Sequence, residues 1–225
     1  GDFKSGLYKM IMGGKEIGLW TPFKVPFPKW DGKHTDKTIL VFAEGGIGDE
    51  IVNIRFCKEI EARGMKYIWV GHRKENNDLF KRNGFTVIDR SVNNLDPFTE
   101  YVYAEAMTLP IIMEIEKENF WKGPYLKPSE EKLKEWKEYL PEKFITVKWS
   151  GNPYYDQDLH RTVDMDMLLK ALNELNLPIV CLQMEDKYDY ESLPIDYFNL
   201  IETWEDTMAI QYLARSNGFN YRRIG

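Results

Sequence analysis

Thr38-Ile-Leu-Val-Phe-Ala-Glu-Gly-Gly-Ile-Gly-Asp-Glu-Ile51 is the stretch on which the fold of this chain turns. It opens with a short, continuous apolar run, the pattern of a strand buried on both faces of a parallel sheet. The glycine-rich turn Glu44-Gly-Gly-Ile-Gly-Asp49 follows, and then Ile47, Ile51, Ile54, Cys57 and Ile60 recur at the spacing of one helix face. Arg63-Gly64 closes that helix, with glycine where a C-cap belongs. Outward from this core the alternation repeats. Lys66–Val70 reads as a second strand, Asn76–Asn83 as a short helix closed by Gly84, Phe85–Ile88 as a third strand and Tyr101–Tyr103 as a fourth. Strand–helix–strand alternation of this kind implies right-handed βαβ units around a parallel sheet.

A second series begins at Phe144–Trp149. It continues with a helix over Met165–Leu175, a strand at Pro178–Leu182, a short strand near Phe198–Ile201 and a final helix starting near Asp206-Thr207. The pattern therefore predicts an α/β protein with two Rossmann-like halves. A Pro- and aromatic-rich arm covers 1–37, the first half 38–110, a connection and helix 111–142, and the second half 143–225. The arm carries prolines at 22, 26 and 28, so it is expected to be irregular and packed across a surface, without a stable helix. Pro110–Pro128 breaks the alternation, and Ser129 is a good N-cap for a polar helix running to about Tyr139, stopped by Pro141.

The 225 residues carry a net charge of −6 and 43% hydrophobic side chains, enough to build packed cores. An acidic balance argues against general nucleic-acid binding, which requires a basic footprint. No apolar stretch approaches the roughly 20 residues of a membrane span, and no signal-peptide pattern opens the chain. Cys57 and Cys181 sit in apolar runs and read as buried free thiols of a reducing compartment, so a cytoplasmic location is expected. No internal repeat or low-complexity segment is present. His34, His72 and His160 have no metal-ligand spacing, so no metal site is expected.

Two turns carry candidate chemistry. In the first, Gly46 and Gly48 let the backbone and the helix N-terminus approach a ligand. The dinucleotide fingerprint is incomplete, because its last glycine position is Ile51, and no Gly-Lys-Ser/Thr follows to make a P-loop. The acidic pair Asp49 and Glu50 would repel phosphate there. Asp49 is instead a carboxylate at the carboxyl end of a parallel strand, or simply a residue that favours the helix dipole. In the second turn, Lys148-Trp-Ser-Gly-Asn-Pro153 follows a buried strand and precedes Arg161-Thr162. Its small polar residues and Arg161 suit a diphosphate, with Tyr154–Asp158 as a covering loop. It is equally an ordinary turn beside a surface charge.

Taken together, Trp30-Asp-Gly-Lys33, Thr38–Ile51, Arg55-Phe56, Val147–Pro153, Arg161-Thr162, Leu182-Gln183 and Glu205-Asp-Thr-Met-Ala209 resemble, in order, bacterial glycosyltransferase-like domains often attached to tetratricopeptide repeats. Those domains are related to ADP-heptose heptosyltransferases and more distantly to O-GlcNAc transferase. The resemblance spans about Trp30 to Leu213. It implies a GT-B fold, two Rossmann-like domains facing a cleft, with the acceptor on the first and a nucleotide-diphosphate sugar on the second. It implies an inverting transfer that uses no metal or other cofactor, to a glycan, lipid-linked or protein hydroxyl. Asp49 matches the candidate general base. Gly46 and Gly48 belong to its turn; Ser150, Gly151 and Asn152 match the donor-side turn; Arg161 matches a basic position for the diphosphate. Gln183 falls where the chain passes the nucleoside, and Thr207 starts the helix after the last strand. The family continues into a further strand and an Asp-Thr/Ser and His-bearing motif, whereas this sequence reads Tyr212–Gly225 without one, so the second domain is expected to be incomplete. That departure opens a second reading, a catalytically degenerate binding or structural module. A plain nucleotide-binding Rossmann protein such as a reductase is disfavoured by the incomplete fingerprint.

Overall fold

The computed structural model describes residues 2–16, 24–89, 95–151, 163–183, 196–197 and 200–216. The chain divides into two compact units, Gly1–Leu126 and Lys127–Gly225, each with its own parallel sheet.

In the first unit β1 (Thr38–Phe42) is buried at every position. It pairs in parallel with β2 (Tyr67–Gly71) on one side and β4 (Tyr101–Glu105) on the other, so Leu40 stands between Ile68 and Tyr103. With β3 (Val87–Asp89) beyond β2, the order is β3-β2-β1-β4, compatible with a Rossmann-like fold. A central parallel strand has neighbours on both sides and cover on both faces, which is why its sequence is apolar without alternation. The crossovers are α2 (Ile47–Ala62) and α3 (Lys74–Arg82). Ile54, Cys57 and Ile60 of α2 are buried as the spacing predicts, joined by Phe56, while Ile47 and Ile51 are only half-buried.

Trp69 of β2 meets Phe80 of α3 edge-to-face, ring centroids 6.0 Å apart. The strand ends at Gly71 because nothing larger fits: a Cβ there would lie 1.8 Å from Oδ1 of the buried Asn77, whose Nδ2 donates to Asp89 Oδ1 at 2.7 Å. Gly71→Ala is therefore expected to cost about 1–3 kcal/mol, the range for an overpacked core, read as a lower urea midpoint with unchanged slope.

The N-terminal arm corrects the expectation of an irregular segment. Helix α1 occupies Phe3–Glu16, ahead of Pro22, where no proline removes a backbone donor. It is anchored by the buried Ile11 and by Phe3, which packs edge-to-face on Phe120 at 5.3 Å. Further along, Trp30 N–H donates to the Tyr103 carbonyl and Tyr103 N–H to the Pro28 carbonyl, at 2.7 and 2.9 Å. The proline-rich stretch thus lies along the outer edge of β4, a position prolines tolerate. After β4 come a 3-10 turn at Ala106–Thr108, helix α4 (Leu109–Ile112) and a second 3-10 turn at Lys117–Asn119. The residues up to Leu126 group with the first unit.

The second unit opens with α5 (Glu130–Tyr139), capped by Ser129, whose side chain accepts from Lys132 N–H at 3.2 Å. The helix stops at Leu140, held extended by the proline that follows. Strands β5 (Ile145–Val147), β6 (Ile179–Cys181) and β7 (Asp196–Tyr197) form a parallel sheet in that order, with α6 (Met165–Asn173) between β5 and β6. Among the described residues the last strand, β7, lies just ahead of the expected 198–201, of which 198 and 199 lie outside the described residues. Ile201 is instead buried beside Trp136, Phe144, Ala209 and Ile210, below α7 (Trp204–Ser216). Cys57 and Cys181 are both buried free thiols, as expected. Among the described residues, no helix is long and apolar enough to cross a membrane.

Candidate functional site

The chain leaves β1 for β2 and β3 on one side and returns to β4 on the other, so the order of connection reverses between the parallel strands β1 and β4. Open α/β sheets receive ligands outside the carboxyl ends of the strands at this kind of reversal. The glycine-rich turn after β1 lies there. Gly45 has φ +74°, and a Cβ on it would fall 2.4 Å from Asp49 Oδ2, so the conformational demand for glycine falls on Gly45. Gly46 is the extended N-cap of α2, and a Cβ at Gly48 would meet open space.

Asp49 sits in the first turn of α2. Its Oδ2 accepts from Gly46 N–H at 2.7 Å, and its own N–H donates to the Gly46 carbonyl at 3.1 Å. This reciprocal pair satisfies helix-start groups that would otherwise be orphaned. The capping role is therefore real, yet it uses one oxygen. Oδ1 has no hydrogen-bond partner among the described residues, and Asp49 is only half-buried.

The acidic pair separates into two functions. Glu50 is completely buried: Arg73 Nη1 donates to its Oε1 at 2.8 Å and Asn76 Nδ2 to its Oε2 at 3.2 Å. Its charge is thus compensated from the loop after β2. His72 Nδ1 lies 3.2 Å from Glu50 Oε1, while His72 Nε2 touches Arg73 Nη1. Arg73 Nη1 also reaches the Gly45 carbonyl at 3.4 Å. Glu50, His72, Arg73 and Asn76 therefore hold the turn that presents Asp49. Sequence reasoning missed this cluster, although His72-Arg73 directly after β2 marks the carboxyl edge of the same sheet.

Arg73→Met would strand Glu50 without its main cation. It is expected to cost about 3 kcal/mol, the lower end for breaking a buried ion pair, because Asn76 still donates. Urea unfolding measures it.

Two further buried carboxylates line the reversal. Glu44 Oε2 accepts from Met107 N–H at 3.1 Å, linking the ends of β1 and β4. Glu105 pairs with the half-exposed Lys29 at 3.0 Å. Of the four carboxylates at this edge, Glu105 pairs with Lys29 and Glu50 with Arg73, while Glu44 and Asp49 accept from backbone N–H groups.

In the second unit Ser150 and Gln183 come together at the carboxyl ends of β5 and β6. Gln183 Nε2 donates to Ser150 Oγ at 2.7 Å and to its carbonyl at 3.4 Å. Gln183 Oε1 accepts from Trp149 and Ser150 N–H at 3.3 and 3.2 Å. Both residues are buried, and these bonds hold the turn that leads to Gly151. Asn152, Tyr154–Asp158, His160 and Arg161 lie outside the described residues.

Thr207 does not start its helix. Helix α7 begins at Trp204, and the capping is done by Thr203 and Asp206. Asp206 Oδ2 accepts from Glu202 N–H, Thr203 N–H and Thr203 Oγ1 at 3.2, 2.8 and 2.7 Å, and Asp206 N–H donates to Thr203 Oγ1 at 3.2 Å. Among the described residues, no group of three or more His, Cys, Asp or Glu is placed to hold a metal ion. Searches against protein-family models, curated proteins and solved structures found no match to this chain.

Proposed function

We propose that this chain is a glycosyltransferase of GT-B type, moving a sugar with inversion from a nucleotide-diphosphate donor to a hydroxyl acceptor without a metal. The observation that carries this reading is Asp49 at the sheet reversal, with Oδ2 fixed by Gly46 and Oδ1 unengaged. In the step envisaged, Oδ1 accepts the proton of the acceptor hydroxyl as that oxygen bonds to the anomeric carbon. The bond from that carbon to the diphosphate breaks, and the electron pair departs with the nucleoside diphosphate. A base so positioned contributes about 10²–10⁴-fold, and backbone donors with Arg161 would stabilise the leaving diphosphate. The acceptor in this reading is a glycan, a lipid-linked sugar or a protein hydroxyl. A cytoplasmic site of action, where nucleotide sugars are available, belongs to the same reading.

A second reading, a degenerate binding module, draws on the Ser150–Gln183 pair, two residues expected on the donor side that bond each other. Two measurements separate them. Incubation with a panel of UDP-, ADP- and GDP-sugars is expected to release free nucleoside diphosphate, and UDP, ADP or GDP at a hundred times its Kd is expected to stabilise the fold by about 2.7 kcal/mol. Absence of both signals would favour the degenerate module.

A further inference from the structure

A second feature of the first unit lies away from the sheet edge, between α2 and the segment 115–125. A cavity of 260 Å³ opens there, walled by Phe56, Phe120, Pro124 and Tyr125, with Arg55, Lys58 and Lys122 also lining it. The Arg55 guanidinium carbon sits 4.9 Å from the Phe56 ring centroid, 4.6 Å from Phe120 and 5.8 Å from Trp121. The rings pack on one another, Phe56 with Phe120 at 5.2 Å and Trp121 with Tyr125 at 6.1 Å, so they form a fixed cage.

The charged neighbours of Arg55 and the Tyr125 hydroxyl at this cavity are engaged. Glu59 pairs with Arg63 and Lys122 at 3.3 and 2.5 Å. Lys58 bonds Glu61 and the Gly84 carbonyl at 3.1 and 3.2 Å, and the Tyr125 hydroxyl donates to the Ile51 carbonyl at 2.6 Å. Arg55 differs. It makes no hydrogen bond or ion pair with a described residue, and its Nε is buried without a partner. Ring faces attract the cation but accept none of its in-plane N–H groups. A half-buried guanidinium with idle donors, in an aromatic cage that opens into a cavity, is matched by a planar anion on an apolar body. The volume lies just below the roughly 300–1,000 Å³ of drug-sized sites, which limits the ligand to about one ring.

We propose that this cavity binds a small organic anion, a carboxylate or phosphate carried on a single apolar ring, with Arg55 as its charged anchor. Among the lining charges Arg55, Lys58 and Lys122 outnumber the single carboxylate Glu59, which favours the same sign of ligand. None of these residues takes part in the chemistry proposed for Asp49, so this site stands or falls independently.

The test titrates the full chain with benzoate, phenyl phosphate and the neutral isostere benzamide, following ligand saturation transfer and the Arg55 Nε–Hε resonance by NMR. Benzoate or phenyl phosphate is expected to bind and shift that resonance, with benzamide at least about tenfold weaker. Which anion binds more tightly identifies the headgroup. Arg55→Met is expected to remove the preference for the anion while circular dichroism remains unchanged. Equal binding of benzoate and benzamide, binding of none of the three, or an unmoved Arg55 resonance would overturn the assignment. If Arg55→Met fails to fold, the contrast between benzoate and benzamide in the wild-type chain decides alone.

Discussion

Asp206→Ala is expected to destabilise the second unit by about 3 kcal/mol. The estimate follows from what the carboxylate holds. Its Oδ1 accepts from Trp136 Nε1 at 2.9 Å and pairs with Lys132 Nζ at 2.8 Å, while Oδ2 caps the start of α7 through Glu202 and Thr203. Trp136 is almost wholly buried, so removal of its acceptor strands an indole N–H at about 1–3 kcal/mol. Loss of the cap adds about 1 kcal/mol. The ion pair itself matters less. The Lys132 side chain is 29% exposed, so Lys132→Met is expected to cost only about 0–1 kcal/mol. Urea midpoints of the two variants test this ordering, and a larger effect for Lys132→Met would assign the node to charge rather than to hydrogen bonding.

The same node predicts an acid limit. Burial alone would raise the Asp206 carboxyl, but hydrogen bonds from Lys132, Trp136 and Thr203 outweigh it and bring the group down to about 2. The unfolded value is about 3.9. A carboxylate depressed by folding contributes its full stability above the unfolded value and loses it as pH falls through the folded one. About 2–3 kcal/mol should therefore disappear between roughly pH 4 and pH 2. The stability difference between wild type and Asp206→Asn is expected to shrink over that window.

How much of this was legible in the sequence depended on how locally each feature is determined. β1 was readable because a central parallel strand must be apolar on both faces, and α2 because its buried face recurs within one helix. α1 was missed because its support is tertiary. Gly6 and Gly13 weaken the helix pattern, and the burial of Ile11 and the Phe3–Phe120 contact come from 100 residues or so away in sequence, at the order of a domain's length. β7 was misplaced because Ile201 looks like a strand residue when it is in fact core packing for α7.

The candidate site divides in the same way. Asp49 was visible from its turn. Glu50 reads only as the second member of an acidic pair, because its partners, His72, Arg73 and Asn76, arrive from the next crossover. Ser150 and Gln183 were each picked out for a ligand, and the sheet instead aligns them as partners across adjacent strands. A buried polar residue is satisfied by whatever the fold brings opposite it, which a local pattern does not state.

Asp49→Asn is expected to lower kcat for sugar transfer by about 10²–10⁴-fold, with little change in donor KM. The reason is that the substitution separates the two roles of this carboxylate. The Asn carbonyl oxygen still accepts from Gly46 N–H, and asparagine and aspartate are nearly equivalent as capping groups, so stability should change by only a few tenths of a kcal/mol. What is lost is the ability of the second oxygen to take a proton. Asp49→Ala removes both roles and should add a stability loss of about 1 kcal/mol to the kinetic defect. The pair of variants thus distinguishes cap from base. Transfer that survives Asp49→Asn, together with destabilisation by Asp49→Ala, would make Asp49 a helix cap and nothing more. A kinetic loss at full stability in Asp49→Asn would leave proton abstraction as the role that accounts for it.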